Sequence, residues 1–532
     1  MLRDQQRFVK KIGPFWSAAA WRRFVIDSAR PRSKRRQAAA LQGGASFRNV
    51  HKTLLLRASP GYIAAPMTDQ PVVAEVEEAR TIPEFLGHPI GLVPLFFTEL
   101  WERFSYYGMR SILILYMTSA AAQGGLGFDV KQASSIYGWY TMAVYLTALP
   151  GGWVADYMTG ARLAVLLGGI IIALGHFSMV FHSTSLVFLG MGLIAIGTGL
   201  LKPNISVMVG KLYRENDPRR DSGFSIFYMG INIGALLAPL AVGFLAKGET
   251  FKRFLTSIGQ DPAKSWHWGF GAAGVGMVVG LIVYLLSTRA LAGVGDKIPR
   301  ALKTTTGTAA PAQALTPSDW KRIGAILILF VFTILFWAAY EQKGASLNLF
   351  ADKLTRTEIA GKSFPAPFLQ SLTPMFVILL TPLFSMLWIS LRDRQPSSPV
   401  KFTLGLLFIG TAYLLMIPAT MLTAQGRVSF WWLVGLYFLE VCGEMCLSPV
   451  GLSTVTKLAP ARLVGLMMGA WFLATSLGNK LAGYLSGFFV ANDSWQLTKL
   501  YGGIAFGLLA SAIILALLTP TIKRLIGPSA TS

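Results

Sequence analysis

Four charged side chains fall within a single apolar stretch, residues 94–117: Glu99, Glu102, Arg103 and Arg110. A charge at the centre of a spanning helix costs about 2.5–3.5 kcal/mol on insertion scales, so four of them need a purpose or a partner. With Glu99 at zero on a wheel of 100° per residue, Arg103 lies at about +40°, Arg110 at about +20° and Tyr106 at about −20°, with Tyr107 at about +80° and Glu102 at about −60°. They share one face. That face must line a wet cavity or a neighbouring helix, because lipid would leave every charge unpaired. Carboxylates there could take up and release protons, and guanidinium groups could hold an anion. The plainer reading is that Glu99 and Arg103, four apart, merely neutralise one another; it leaves Glu102 and Arg110 unexplained. Lys202 adds a mid-helix ammonium just ahead of Pro203, whose plainer reading is a side chain snorkelling to the interface.

The elements that position these residues follow from composition. Of 532 residues, 53% are hydrophobic and 14% charged, where a soluble domain carries about a quarter charged residues. Apolar runs long enough to cross about 30 Å of hydrocarbon are expected near 91–119, 133–155, 161–181, 185–209, 223–246, 267–287, 322–343, 367–391, 402–421, 429–451, 461–490 and 498–519. The fold class is therefore all-α polytopic membrane protein with twelve transmembrane helices. Residues 288–321, rich in Thr, Pro and basic residues, read as a linker. It separates a six-helix bundle at 90–287 from a second at 322–520, with a tail at 521–532.

The net charge of +23 is uneven: residues 1–66 hold fourteen Lys or Arg against two Asp. This extension has no apolar run that could serve as a secretory signal. It reads as sequence upstream of a true start at Met67, or as a basic tail on anionic lipid, with a polar lead-in at 67–89. Nothing later interleaves basic and aromatic residues as a strand-binding groove would, so no nucleic-acid partner is expected. Cys442 and Cys446 read as packing residues, and the five histidines lack metal-site spacing, so no metal or other cofactor is expected. No nucleophile with a base and an orienting group is present, which excludes the common enzyme classes. Lys and Arg favour the alternate loops that place both termini in the cytoplasm, eighteen against about ten. A multi-pass protein of the inner (plasma) membrane is expected.

The end of the second span, GGWVADYMTGAR, resembles the loop between helices two and three of the major facilitator superfamily. ELWERFSYYG in the first span resembles the ExxERFxYYG signature of the proton-dependent oligopeptide transporter family within it. YGWYTMAVYLTALPGGW, GLLKPNISVMVGKLY, FYMGINIGA, FWAAYEQKG, GEMCLSPVGLS and GAWFLATSLGNKLAG continue the match in order across roughly residues 85–520. The resemblance implies a major facilitator fold with two six-helix bundles about a midplane cavity, and proton-coupled import of di- and tripeptides. It implies proton coupling by Glu99, Glu102, Arg103 and Glu341, and a gate formed by Arg110 with Glu341. Peptide contacts would come from Arg110, Lys202, Tyr106, Tyr145, Tyr228, Asn232, Trp337, Glu444, Ser448, Trp471 and Asn479. A zwitterionic peptide needs a cation for its carboxylate and an anion for its amine, which Arg110 and Lys202 on one side and Glu444 on the other supply. The expected partners are peptides, protons and the bilayer, with a monomer as the unit. Two departures stand out: the second span has no histidine, and Thr373 stands where an asparagine commonly contacts peptide. A facilitator of nitrate or a peptide-like drug, and a peptide sensor without net transport, are the competing readings.

Overall fold

Helices make up nearly all the regular structure in the computed structural model of the chain, which describes residues 84–181, 183–214, 217–297, 315–460 and 463–527. The expected extension at 1–66 and most of the lead-in lie outside the described residues. In order the helices are α1 Leu92–Thr118, α2 Val130–Leu146, α3 Ala148–Val154, α4 Ala161–Ser178, α5 Thr184–Lys211, α6 Arg220–Lys247, α7 Glu249–Ser257 and α8 Ser265–Leu286. These are followed by α9 Pro317–Tyr340, α10 Ser346–Leu354, α11 Leu372–Leu391, α12 Ser398–Leu414, α13 Met416–Leu422, α14 Trp431–Leu458, α15 Val464–Ser486 and α16 Ser494–Ile526. Two-residue strands pair only in the connections.

All twelve expected spans are helical, and nine helical stretches among the described residues are long and apolar enough to cross a membrane. The first span is not among the nine because of its own charges, Glu99, Glu102, Arg103 and Arg110. The second and ninth spans are interrupted, at Thr147 and Leu415. Each break lies three residues ahead of a proline, Pro150 or Pro418, whose ring presses on the carbonyl four residues back and which has no N–H to donate. Those carbonyls belong to Leu146 and Leu414, where the helices end. Pro203, Pro239, Pro382, Pro449 and Pro520 are carried inside continuous helices, as spanning helices tolerate.

Both boundaries of the seventh span differ from expectation, and the last helix runs on to Ile526, into the expected tail. The seventh span starts at Pro317 rather than 322, because Thr316 and Asp319 form a reciprocal capping box ahead of the apolar run. It also ends early: α9 stops at Tyr340, and Glu341–Gly344 tighten into a 3₁₀ turn that leads into α10. Glu341 is thus on a turn, not within the helix.

The apolar interior is split. One large cluster runs from Tyr106, Ile112 and Tyr137 through Phe336 and Phe350 to Tyr501, joining helices from the first six spans to helices from the last six. A separate cluster of Leu92, Val165, Met208, Phe227 and Tyr284 fills the far end of the first set alone. On the outside, α16 exposes Phe506, Ile513 and Leu517 while burying Leu497, Ala505, Leu508, Ala512 and Leu515. A helix apolar on both faces suits a lipid surround.

Loop chemistry at the far end is polar. Arg219 pairs with Glu84 at 2.6 Å and with Asp217 at 3.0 Å, and its hydrogen bonds hold the Asp217 carboxyl below the usual range. In GGWVADYMTGAR, Gly160 takes φ +78°, and a Cβ there would meet the Lys297 backbone nitrogen at 2.8 Å. Only glycine fits this turn without strain.

Candidate functional site

The predicted face of α1 is a buried charge cluster. Arg103 Nε lies 3.3 Å from Glu99 Oε1. The same guanidinium grips Glu102 at both oxygens, Nη2 donating to Oε1 at 2.6 Å and Nε to Oε2. None of the three is more than 2% exposed, so the charges can be held only by one another. One oxygen of Glu99 has no hydrogen-bond partner among the described residues. The Arg103 guanidinium also lies over the rings of Tyr106 and Tyr107, at 5.2 and 5.9 Å.

Two turns further along α1, Arg110 leaves the cluster and reaches across to the last six spans. Its Nη2 pairs with Glu341 on the 3₁₀ turn, and its Nε donates to the Tyr137 hydroxyl on α2 at 2.5 Å. Around this pair the two sets of helices are stitched together. Asn348 and Gln370 both donate to the Ser111 carbonyl, at 2.7 and 3.2 Å, and Ser371 to that of Leu236 at 2.7 Å. Lys247 pairs with Asp352 at 2.7 Å. Gly344 packs so closely that a Cβ would lie 1.8 Å from the Tyr137 hydroxyl oxygen.

Lys202 on α5 is half-buried, its ammonium 4.4 Å from the centre of the Tyr145 ring. Arg103 acts on it electrostatically, opposed by Glu102 and Glu99, and among the described residues it forms no ion pair. Opposite, on α14, Glu444 is 8% exposed and accepts from the Tyr340 hydroxyl. Tyr228 on α6 is 41% exposed and lies within electrostatic reach of Glu444. Asn232 donates to the Tyr228 carbonyl.

Trp337 packs edge-on against Tyr340 and leaves its indole N–H without a partner among the described residues. Ser448 is half-buried one turn beyond Glu444. Trp471 and Asn479 make no hydrogen bond or ion pair to the charged groups among the described residues. Trp471 is 3% exposed, packed on Phe330 and over Gly451, while Asn479 donates to the Thr475 carbonyl of its own helix and its oxygen has no hydrogen-bond partner among the described residues.

Sequence reasoning missed several members of this constellation. Tyr137 is the second partner of Arg110. Lys343 places its ammonium 3.3 Å from the Tyr340 ring centre. Glu440, one turn before Glu444, is fully buried, with the Tyr413 hydroxyl beside it donating to the Ala339 carbonyl at 2.8 Å. The i, i+4 spacing of Glu440 and Glu444 in an apolar run was a usable signal for the last. Among the described residues no group of three or more metal-binding side chains is present.

The arrangement can hold an anion beside Arg110 and Lys202 and a cation beside Glu444, and can exchange protons at buried carboxyls. A family model described as PTR2, POT family, matches residues 162–297 and 302–502. The YclF transporter of Bacillus subtilis, itself uncharacterized, is 39% identical over 494 residues, 84% of this chain and 97% of its own. The peptide transporter YePEPT of Yersinia enterocolitica is 37% identical over 504 residues, 83% of this chain and 96% of its own. A crystal structure of a variant of the peptide transporter POT with alafosfalin superposes with a TM-score of 0.75 at 37% identity, covering 84% of this chain and 98% of that one. The fold, the length and the motifs agree, and the chain belongs to the POT family of membrane transporters.

Proposed function

We propose that the chain is a proton-coupled symporter that imports di- and tripeptides across the inner membrane by alternating access. The observation that carries this reading is the charge inventory of the site. Among the described residues it brings together five acids, Glu99, Glu102, Glu341, Glu440 and Glu444, and four cations, Arg103, Arg110, Lys202 and Lys343. Buried charge must be compensated. A zwitterionic peptide adds no net charge, so a proton is what balances the loaded site. The poles are also separated as a peptide requires, with Arg110 and Lys202 for its carboxylate and Glu444 for its amine, and Tyr106, Tyr145, Tyr228, Asn232 and Trp337 around its backbone and side chains. Ser448, Trp471 and Asn479 complete the set on the Glu444 side.

In this reading residues 90–287 and 317–526 are the two rocking bundles, 288–316 is a cytosolic linker, both termini are cytoplasmic and the unit is a monomer. The stitched end around Ser111 and Gly344 is taken as the outer end, the end that closes in an inward-facing state. Protonation of Glu341 would release Arg110 and let that end part. Proton and peptide must bind the two orientations unequally to drive the exchange.

The test is uptake of labelled dialanine into proteoliposomes under an inward proton gradient, with and without an uncoupler. Accumulation abolished by the uncoupler is expected. Uptake indifferent to it would leave a facilitator, and binding without flux a sensor.

A further inference from the structure

The proposed mechanism leaves Lys343 and Glu440 without a task, although both lie beside the amine end of the site. The Lys343 ammonium rests 3.3 Å above the ring of Tyr340, whose hydroxyl is bound to Glu444. One tyrosine therefore holds the lysine on its face and the acid at its tip. Lys343 lies within electrostatic reach of both Glu444 and Glu440, which are four residues apart on α14. Glu341 is already engaged with Arg110. Two buried acids on one face of α14 thus lie within reach of the same lysine.

This geometry bears on what the site can reject. A pocket that relies on a substrate ammonium to compensate a buried acid rejects analogues lacking it strongly, because the acid is then left unpaired. A cation already in place removes that penalty. We propose that Lys343 is the resident cation of the amine end: it compensates Glu444 when the substrate has no cationic amine, so the transporter accepts N-blocked dipeptides as well as free ones. Glu440 is its second station. When a free peptide brings an ammonium to Glu444, Lys343 turns to Glu440 and the two cations do not collide. The inference rests on the reading of Glu444 as the amine acceptor.

The experiment is competition against labelled dialanine in counterflow, with no proton gradient, using unlabelled dialanine and N-acetyl-dialanine. The readout is the ratio of their half-inhibitory concentrations. Lys343→Met and Lys343→Gln should widen this ratio by about tenfold or more in favour of the free peptide, and Lys343→Arg should hold the wild-type value. Glu440→Gln should narrow it, because a free amine then meets a lysine with nowhere to go. An unchanged ratio in the uncharged lysine variants overturns the inference. If those variants do not assemble, Glu440→Gln decides: narrowing supports the inference and an unchanged ratio overturns it. Wild-type protein that does not exchange dialanine at all would instead refute the underlying peptide reading.

Discussion

Gly138 on α2 and Gly483 on α15 meet backbone to backbone: a Cβ on Gly483 would lie 2.5 Å from the Gly138 Cα, and one on Gly138 would lie 2.9 Å from the Gly483 Cα. Small residues permit such close crossings in membranes, and this one joins a helix of the first six spans to one of the last six. The Ser476 hydroxyl, donating to the Met142 carbonyl at 2.9 Å, extends the same seam.

A side chain at this crossing must hold the two helices apart. Gly483→Ala should slow dialanine uptake and Gly483→Val should reduce it by about tenfold or more, with both variants still melting cooperatively after purification. Wild-type rates in the valine variant would mean that the crossing does not have to close during transport.

The pair Arg110–Glu341 makes a sharper prediction. Removing one member of a buried ion pair leaves an uncompensated charge, a loss of about 3–5 kcal/mol, whereas replacing both is far milder. Glu341→Gln and Arg110→Gln should each lower the melting temperature, and the double variant should recover part of the loss. Simple additivity of the two losses would show that the pair is not coupled. Gradient-driven uptake should fail in all three, since the gate is lost in each.

The architecture was legible because lipid enforces it. Apolar runs of the right length had to be helices; the breaks at Thr147 and Leu415, inside spans expected to be continuous, show the steric effect of Pro150 and Pro418 only in the structure. The α1 cluster was legible for the same reason: a regular helix lets a wheel place Glu99, Arg103 and Arg110 on one face, and there Arg103 and Arg110 find their partners. The wheel fails beyond Tyr340. There the backbone tightens to a 3₁₀ turn, so the directions of Glu341 and Lys343 cannot be obtained by continuing α9. One tyrosine among sixteen, such as Tyr137, carries no signal in sequence until a cation lies beside it, and Glu440 lies outside the GEMCLSPVGLS motif that marks Glu444.

Tyr137 and Gly344 should behave as one unit. Tyr137→Phe leaves Arg110 Nε without its acceptor, a loss of about 1.5–3 kcal/mol for a charged donor. Gly344→Ala would push against the same hydroxyl. Each should lower thermal stability alone, and together they should lower it by less than the sum, because the phenylalanine has already given up the atom in the way. Strict additivity in melts of the four proteins would show that the two positions act separately.

Glu102 tests the assignment of the proton. Glu102→Gln keeps the shape and one acceptor for Arg103 but cannot carry a proton on and off. Arg103 retains Glu99 at 3.3 Å, so the cluster keeps a counter-ion and the helix should stay in place. Gradient-driven accumulation of dialanine should therefore be lost, while counterflow, which needs only the rocking of a loaded carrier, should stay within about twofold of wild type. Loss of both would mark Glu102 as structural. Survival of driven uptake would move the proton to Glu99 or Glu341, and the same pair of assays on Glu99→Gln would then separate those two.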